Sequence, residues 1–198
     1  MLERRLNIGL DFDDTLMHTR EAIVDLLNAA HGTSTRVTDC TEYWLSERWN
    51  LTNEAFSEFF TLHEPAIHTQ PALAGMLPTL QAWSAFADFR VITGRPLAWL
   101  PSAQAWLDQQ GIRIKELVSS SADGTKGIAA KRMKLDFFID DHEEAATQVA
   151  DAGIPVFLID QPYNQNCRHP LITRVRGWNE ISSLVMERWP LDSGVTQH

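Results

Sequence analysis

Leu6-Asn7-Ile8-Gly9-Leu10-Asp11-Phe12-Asp13-Asp14-Thr15-Leu16 is the stretch that decides the fold. Its first half alternates Leu6, Ile8 and Leu10, the pattern of a short buried strand. Its second half places three carboxylates within four residues, and these repel one another unless a cation offsets them. Working outward, the same form recurs. Phe89, Val91 and Ile92 lead into Thr93, and Leu117 and Val118 lead into Ser119. Phe137, Phe138 and Ile139 lead into Asp140, and Val156 to Ile159 lead into Asp160. Apolar runs that each end in a polar residue are expected of a parallel sheet whose site lies at the strand C-termini.

Helical spacing fills the intervals. Trp99, Ala103, Trp106, Leu107 and Gln110 share one face, with Gly111 placed to end the helix. Leu77, Leu80, Trp83 and Phe86 recur every three residues. Glu143 to Ala152 reads as a helix stopped by Gly153, and Asn179 to Trp189 as a last helix stopped by Pro190. The alternation predicts an α/β protein, a three-layer Rossmann-like parallel sheet with helices on both faces. About 75 residues separate the first strand from the second, far more than one crossover needs. They hold helical patterns at Glu21 to Ala30 and Asn53 to His63, with Tyr43-Trp44-Leu45-Ser46-Glu47-Arg48-Trp49 between. A small helical cap over residues 18–74 is therefore expected, set above a core of residues 1–17 and 75–198.

Composition bounds the function. The chain has 198 residues, 44% hydrophobic and 22% charged, which is ordinary globular usage. Its 17 basic and 26 acidic residues leave a net charge of −9. A polyanion binder needs a basic face, so neither a nucleic-acid polymer nor an anionic membrane is the expected partner. A small phosphorylated substrate stays compatible, because one site can differ from the whole surface. Cys40 and Cys167 are too few for a disulfide framework or a cysteine-rich zinc site and read as reduced thiols. No signal-peptide pattern opens the sequence and no apolar run approaches a bilayer span, so a cytoplasmic setting is expected.

The chemistry gathers at strand ends. Asp140-Asp141 closes one apolar run as Asp11 to Asp14 closes another, and parallel strands bring both clusters to one edge. Either alone reads as a cap or a solvated turn; together they suit a hard cation such as Mg²⁺. Val91-Ile92-Thr93-Gly94-Arg95 delivers a hydroxyl and then a glycine that lets the backbone approach an anion. Lys126 follows Asp123-Gly124-Thr125 at the start of a helical pattern, where an ammonium can meet a phosphate oxygen. Lys131 and Lys134 are its rivals, but they lie deeper in the helix and are expected to face solvent.

These residues resemble the haloacid dehalogenase superfamily of phosphotransferases along essentially the whole chain. Asp11-Phe12-Asp13-Asp14-Thr15 matches its Asp-x-Asp-x-Thr motif, and Thr93, Lys126 and Asp140-Asp141 match the other three in order. The resemblance implies that Asp11 is the nucleophile and forms an aspartyl phosphate. It implies that Asp13 is first general acid and then general base. It places Mg²⁺ on the Asp11 carboxylate, the Asp13 backbone carbonyl and Asp140, with Asp141 binding through water or orienting that shell. Thr93, Gly94 and Lys126 would hold the transferring oxygens, and Arg95 would contact substrate.

Leu158-Ile159-Asp160-Gln161-Pro162-Tyr163-Asn164 is similar to a segment of the 5'(3')-deoxyribonucleotidases, which implies hydrolysis of nucleoside monophosphates. Its bland reading is a turn built from Pro and Asn. Trp44 and Trp49 are the candidates to stack on a nucleobase. Phe56, Phe59 and Phe60 have helical spacing and read as the insertion's own core. His142 reads as a helix-start residue. A phosphatase for sugar phosphates or other small phosphomonoesters is the alternative, since the four motifs read phosphate only. A receiver-like signalling module is disfavoured because receivers carry the acidic pair, not Asp-x-Asp-x-Thr, on the first strand. A nucleotide-binding protein without turnover is disfavoured because all four motifs are intact.

Overall fold

The structure, a computed structural model, describes residues 4–189. The outermost residues of the expected core, and Pro190 as a helix stop, lie outside the described residues. Six strands form one parallel sheet: β1 (Leu6–Leu10), β2 (Ala87–Thr93), β3 (Glu116–Ser119), β4 (Phe137–Asp140), β5 (Val156–Ile159) and β6 (Ile172–Val175). Their order is β3-β2-β1-β4-β5-β6. The order reverses at β1, so a crevice opens between the C-terminal ends of β1 and β4, where sheets of this type place their ligands. Register carries the motifs to one level: Leu10 pairs with both Val91 and Ile139, and the Asp11 N–H donates to the Ile139 carbonyl at 2.9 Å.

Nine helices are described: α1 (Thr19–His31), α2 (Leu45–Arg48), α3 (Asn53–Ile67), α4 (Met76–Trp83), α5 (Leu100–Gln109), α6 (Ser120–Asp123), α7 (Lys126–Arg132), α8 (Glu143–Asp151) and α9 (Trp178–Arg188). Alternate side chains of each strand point to opposite faces, and two helical layers cover them. Leu6, Ile8, Leu10, Val91, Phe137 and Ile139 pack against α4, α5 and α9 through Leu80, Trp83, Trp106, Trp178 and Ile181. Ile92, Phe138, Val156 and Leu158 pack against α7 and α8 through Ala129, Ala130, Ala146 and Val149. The three-layer reading of the sequence is the architecture observed. Trp83, Trp99 and Trp106 are core residues, as their spacing predicts, and Trp178 at the start of α9 is buried with them.

Residues between β1 and β2 form more structure than two helices. A 3₁₀ turn at Val37–Asp39 and α2 lie between α1 and α3. The chain leaves and re-enters the sheet region through one place. Met17 bridges both Asp13 and, antiparallel, Ala72, while the His18 and Leu73 N–H groups donate to the Pro71 and Leu16 carbonyls at 3.1 and 2.9 Å. Phe60 stacks on Trp99 at 4.5 Å, so this face of α3 seals against the segment after β2. No helix among the described residues is long and apolar enough to cross a membrane.

Lys126 owes its position to two local features. Thr125 Oγ1 accepts from the Ile128 N–H at 3.2 Å and caps α7, which starts the helix at Lys126. Gly127 then lets α7 press onto α8, where an added Cβ would lie 2.3 Å from the Gln148 carbonyl oxygen. That neighbour is backbone and cannot swing aside. Gly127→Ala is expected to destabilise the fold by about 2 kcal/mol through overpacking. Thermal melting should register this as a fall of roughly 4–8 °C; an unchanged melting temperature would show that the two helices separate freely.

Candidate active site

The strand ends deliver the site. Asp11 follows β1, Thr93 ends β2, and Asp140 ends β4 with Asp141 next to it; all four side chains are buried. Asp11, Asp140 and Asp141 each offer a carboxylate oxygen, and these three oxygens lie within 4.8 Å of one another. Lys126 reaches them from the first turn of α7. Its Nζ donates to Asp11 Oδ1 at 2.5 Å and to Asp140 Oδ2 at 2.9 Å. Lys131 and Lys134 are exposed, as expected of the rivals.

Each acid is held differently. Asp140 Oδ1 accepts from the N–H groups of Asp141 and His142, both at 2.9 Å. Asp141 accepts from Thr15 Oγ1 at 3.1 Å and from the Tyr163 hydroxyl at 2.5 Å. Asn164 Nδ2 completes the brace, donating to the carbonyls of Asp141 and Ile159 at 2.7 and 2.8 Å. The segment that resembles deoxyribonucleotidases thus reaches the acidic pair through Tyr163 and Asn164. Asp13 is turned away from this cluster. Arg95 forks onto it, Nε to Oδ2 at 2.8 Å and Nη2 to Oδ1 at 2.5 Å, and Thr19 donates to Oδ1 at 2.5 Å.

Burial governs the charges. It pushes the Asp11 carboxyl up to about 7, against the pull of Lys126 and with added repulsion from Asp140 and Asp13. Burial, then the charges of Asp11, Asp14 and Asp140, drives Asp141 well above the ordinary carboxylate range. For Asp13, burial also acts upward, but Arg95 and Thr19 outweigh it and the carboxyl is held below its ordinary value. Burial would likewise lower the Lys126 ammonium; Asp11 and Asp140 reverse that, and it stays protonated. Fully ionised, the Asp11, Asp140 and Asp141 carboxylates against this ammonium leave two negative charges over, the charge of one divalent cation. Carboxylate oxygens so gathered are the donor set a hard cation takes.

The remaining candidates divide. Thr93 Oγ1 accepts from the Arg95 N–H at 3.1 Å, while Gly94 is exposed with open space where a Cβ would stand. Arg95, expected toward substrate, is instead buried with its guanidinium on Asp13 and over the Phe12 ring, 4.3 Å from its centroid. Trp44 is 58% exposed and meets Tyr43 edge-on at 5.0 Å. Trp49 turns elsewhere: its indole N–H donates to Thr33 Oγ1 at 3.2 Å beyond the end of α1. Behind Tyr163, which itself touches Asp141, lies Tyr43: it stacks on His142 at 3.6 Å and meets Tyr163 edge-on at 5.6 Å. Burial raises its hydroxyl's pKa, and the charges of Asp141 and Asp11 raise it further. Arg20 secures that loop: Nη1 donates to the Tyr43 carbonyl at 2.9 Å, Nη2 to that of Glu42, and the guanidinium lies 4.2 Å from the Tyr163 centroid. Thr15 and Tyr163 lay inside motifs already quoted. Arg20, Thr19 and His68 gave no periodic signal.

A parallel sheet of this order, with acids from β1 and β4 and a lysine from the helix before β4, is the core of the haloacid dehalogenase fold, and the family that the chain matches makes it that of a nucleotidase-like phosphatase. Solved structures share the fold. A HAD family hydrolase from Deinococcus radiodurans R1, solved with bound phosphate and sodium, superposes with a TM-score of 0.67 at 14% identity, covering 91% of this chain and 95% of that one. The magnesium-bound HAD-hydrolase YfnB of Bacillus subtilis gives 0.62 at 13% identity, over 92% and 99%. Residues 4–189 match the family described as 5' nucleotidase, deoxy (pyrimidine), cytosolic type C protein, and the chain belongs to that family. Among relatives, YqfW of Bacillus subtilis (strain 168), provisionally named a nucleotidase, is 31% identical over 88% of this chain and 91% of its own length. A protein named nucleotidase CA_C3379, from Clostridium acetobutylicum, is 26% identical over 91% and 94%.

The brace on Asp141 is open to measurement. Asn164→Ala removes the donor shared by two buried carbonyls, and each group left unsatisfied costs about 1–3 kcal/mol. Urea unfolding of the variant is expected to show a loss of roughly 2–4 kcal/mol; a loss under about 0.5 kcal/mol, the level of an ordinary surface change, would show that water replaces the amide.

Proposed function

We propose that the protein is a Mg²⁺-dependent nucleotidase that removes phosphate from nucleoside monophosphates, deoxyribonucleotides among them, through a phosphorylated Asp11. The observation that carries the chemistry is the Asp11–Lys126–Asp140 contact beside Asp141. It gathers a nucleophile, a fixed positive charge and a donor set two charges in excess within one buried space.

Asp11 supplies the attacking oxygen as the P–O bond to the leaving group breaks. Lys126, the Thr93 hydroxyl and the Gly94 N–H hold the phosphoryl oxygens, where charge spreads in the transition state. Asp13 gives its proton to the leaving oxygen and then takes one from the water that hydrolyses the aspartyl phosphate. In the structure Arg95 and Thr19 keep Asp13 ionised, the form that suits the second half; the first half requires a proton on that carboxyl. The Asp11 and Asp140 carboxylates and the Asp13 carbonyl would hold Mg²⁺, with Asp141 beside them. When bound, the ion neutralises phosphate charge and lets Asp11 approach it. Residues 18–74 would act as a cap that shapes the leaving-group side, with the exposed Trp44 as the ring to stack on a base and Tyr43 behind it on His142. Family membership supports a nucleotide, and the negative surface supports a small substrate rather than a polymer.

A panel of purified phosphomonoesters tests the substrate class. Turnover of nucleoside monophosphates above sugar phosphates supports the reading, and sugar phosphates alone would replace it. Asp11→Asn should abolish turnover with the melting temperature retained; residual turnover near wild type would remove the proposed nucleophile.

The ion has a pH signature. Asp11 rises from 3.8 to about 7 on folding. Without metal, its contribution to stability is therefore full below about 4 and is lost as pH rises through about 7. Mg²⁺ takes the ionised form, so it should raise the melting temperature more at pH 8 than at pH 5. An equal rise at both would mean that Asp11 gives up no proton on binding.

A further inference from the structure

One contact of Arg95 is not used by the chemistry above. Its third nitrogen, Nη1, meets His68 Nε2. His68 follows the last residue of α3, and Glu64 and Phe60 stand one and two helical turns before it on the same face. Phe60 stacks on Trp99, and Trp99 meets the His68 ring edge-on at 6.0 Å. Glu64 holds the other side of the imidazole. His68 Nδ1 lies 2.9 Å from Glu64 Oε1 and 3.0 Å from the Glu64 carbonyl.

The proton positions follow from the partners. Arg95 has donors only, so Nε2 must accept from it. Glu64 offers acceptors only at this contact, so Nδ1 must carry the hydrogen. The ring is therefore a neutral, oriented acceptor, and burial and the neighbouring Arg95 charge both favour the neutral form. The guanidinium is planar, and all three of its nitrogens are engaged: Nε and Nη2 by Asp13, Nη1 by His68. Loss of the third contact leaves the guanidinium held by Asp13 and the Phe12 ring alone, so Nη1 can shift and draw the Asp13 carboxylate with it against the pull of Thr19.

We propose that His68 is a positioning residue for proton transfer: through Arg95 it fixes the carboxyl of Asp13, and so ties α3 to protonation of the leaving oxygen. The proposal rests on the reading of Asp13 as proton donor. As the Asp11 oxygen bonds to phosphorus, the bond to the leaving oxygen breaks, and the proton passes from Asp13 to that oxygen. A misplaced Asp13 therefore hurts a basic leaving group more than one that departs as a stable anion.

The test is kcat/KM on 4-nitrophenyl phosphate and phenyl phosphate with Mg²⁺ present, which needs no nucleotide. Phenolate is the more basic leaving group and depends more on the acid. Asp13→Asn is expected to lose more on phenyl phosphate than on 4-nitrophenyl phosphate. His68→Ala should do the same, its loss about 10-fold greater on the phenyl ester, a part of the roughly 10²–10⁴-fold that acid catalysis contributes. His68→Gln, whose side-chain carbonyl can accept from Arg95, should recover most of that difference. Should His68→Ala not fold, His68→Phe keeps a ring against Trp99 without an acceptor and reports the same ratio. Equal losses on both esters for the His68 variants, with Asp13→Asn still discriminating, overturn the role of His68 alone. Equal losses for Asp13→Asn overturn the proton-donor reading and the proposal together.

Discussion

The ammonium of Lys126 between Asp11 and Asp140 is the contact on which the rest depends. Three buried carboxylates on adjoining strand ends cannot share a space without a counter-charge, because like charges repel strongly where water does not screen them. The lysine supplies one positive charge from a helix end, and its place is set by the Thr125 cap and by Gly127 against α8. Sheet register, helix packing and electrostatics thus converge on one nitrogen atom. A buried ion pair is weak evidence for stability in general. Here its value is chemical, since the partners are also the groups that would meet phosphate and cation.

The two aspartates of the first motif are set apart in acidity by their surroundings. Asp11 and Asp13 are two residues apart, yet burial leaves the first near neutrality in its titration while Arg95 holds the second ionised. Environments that push two carboxyls apart in acidity mark different roles for them. A half-turn of loop after β1 suffices, because it sends one side chain toward α7 and the other toward Arg95.

Much of this was legible in the sequence. Five strands announced themselves as apolar runs, and the four motifs named Asp11, Asp13, Thr93, Lys126, Asp140 and Asp141, which the fold brings to one edge. Strand β6 escaped because Thr173 and Arg174 interrupt its apolar residues, as an edge position allows. Helix α2 is four residues long, too short to show a period. Helix α3 runs on to Ile67 past Pro65, a residue that ordinarily argues for an earlier stop. Arg95 was visible but its direction was not: the salt bridge to Asp13 spans 82 positions, and the contact with His68 spans 27. Pairings of that kind follow from how elements dock, which no local pattern encodes. Trp44 and Trp49 stand out as aromatics of the insertion, whereas it is Tyr43 that stacks on His142 beside the acidic pair, in a loop that Arg20 anchors through the Tyr43 carbonyl.

The paired bridges at Met17 have a consequence for how such a protein can change. Because the segment between β1 and β2 departs and returns at neighbouring residues, its ends are already closed onto each other by the Leu16, His18, Pro71 and Leu73 hydrogen bonds. The entropy of closing a loop grows only slowly with its length, so material between those points can be lengthened, shortened or exchanged at little thermodynamic penalty to the sheet. The junction behaves as a socket. On the proposed reading, selection could rework the recognition assigned to the inserted segment while the strand-end carboxylates on the other side stay untouched.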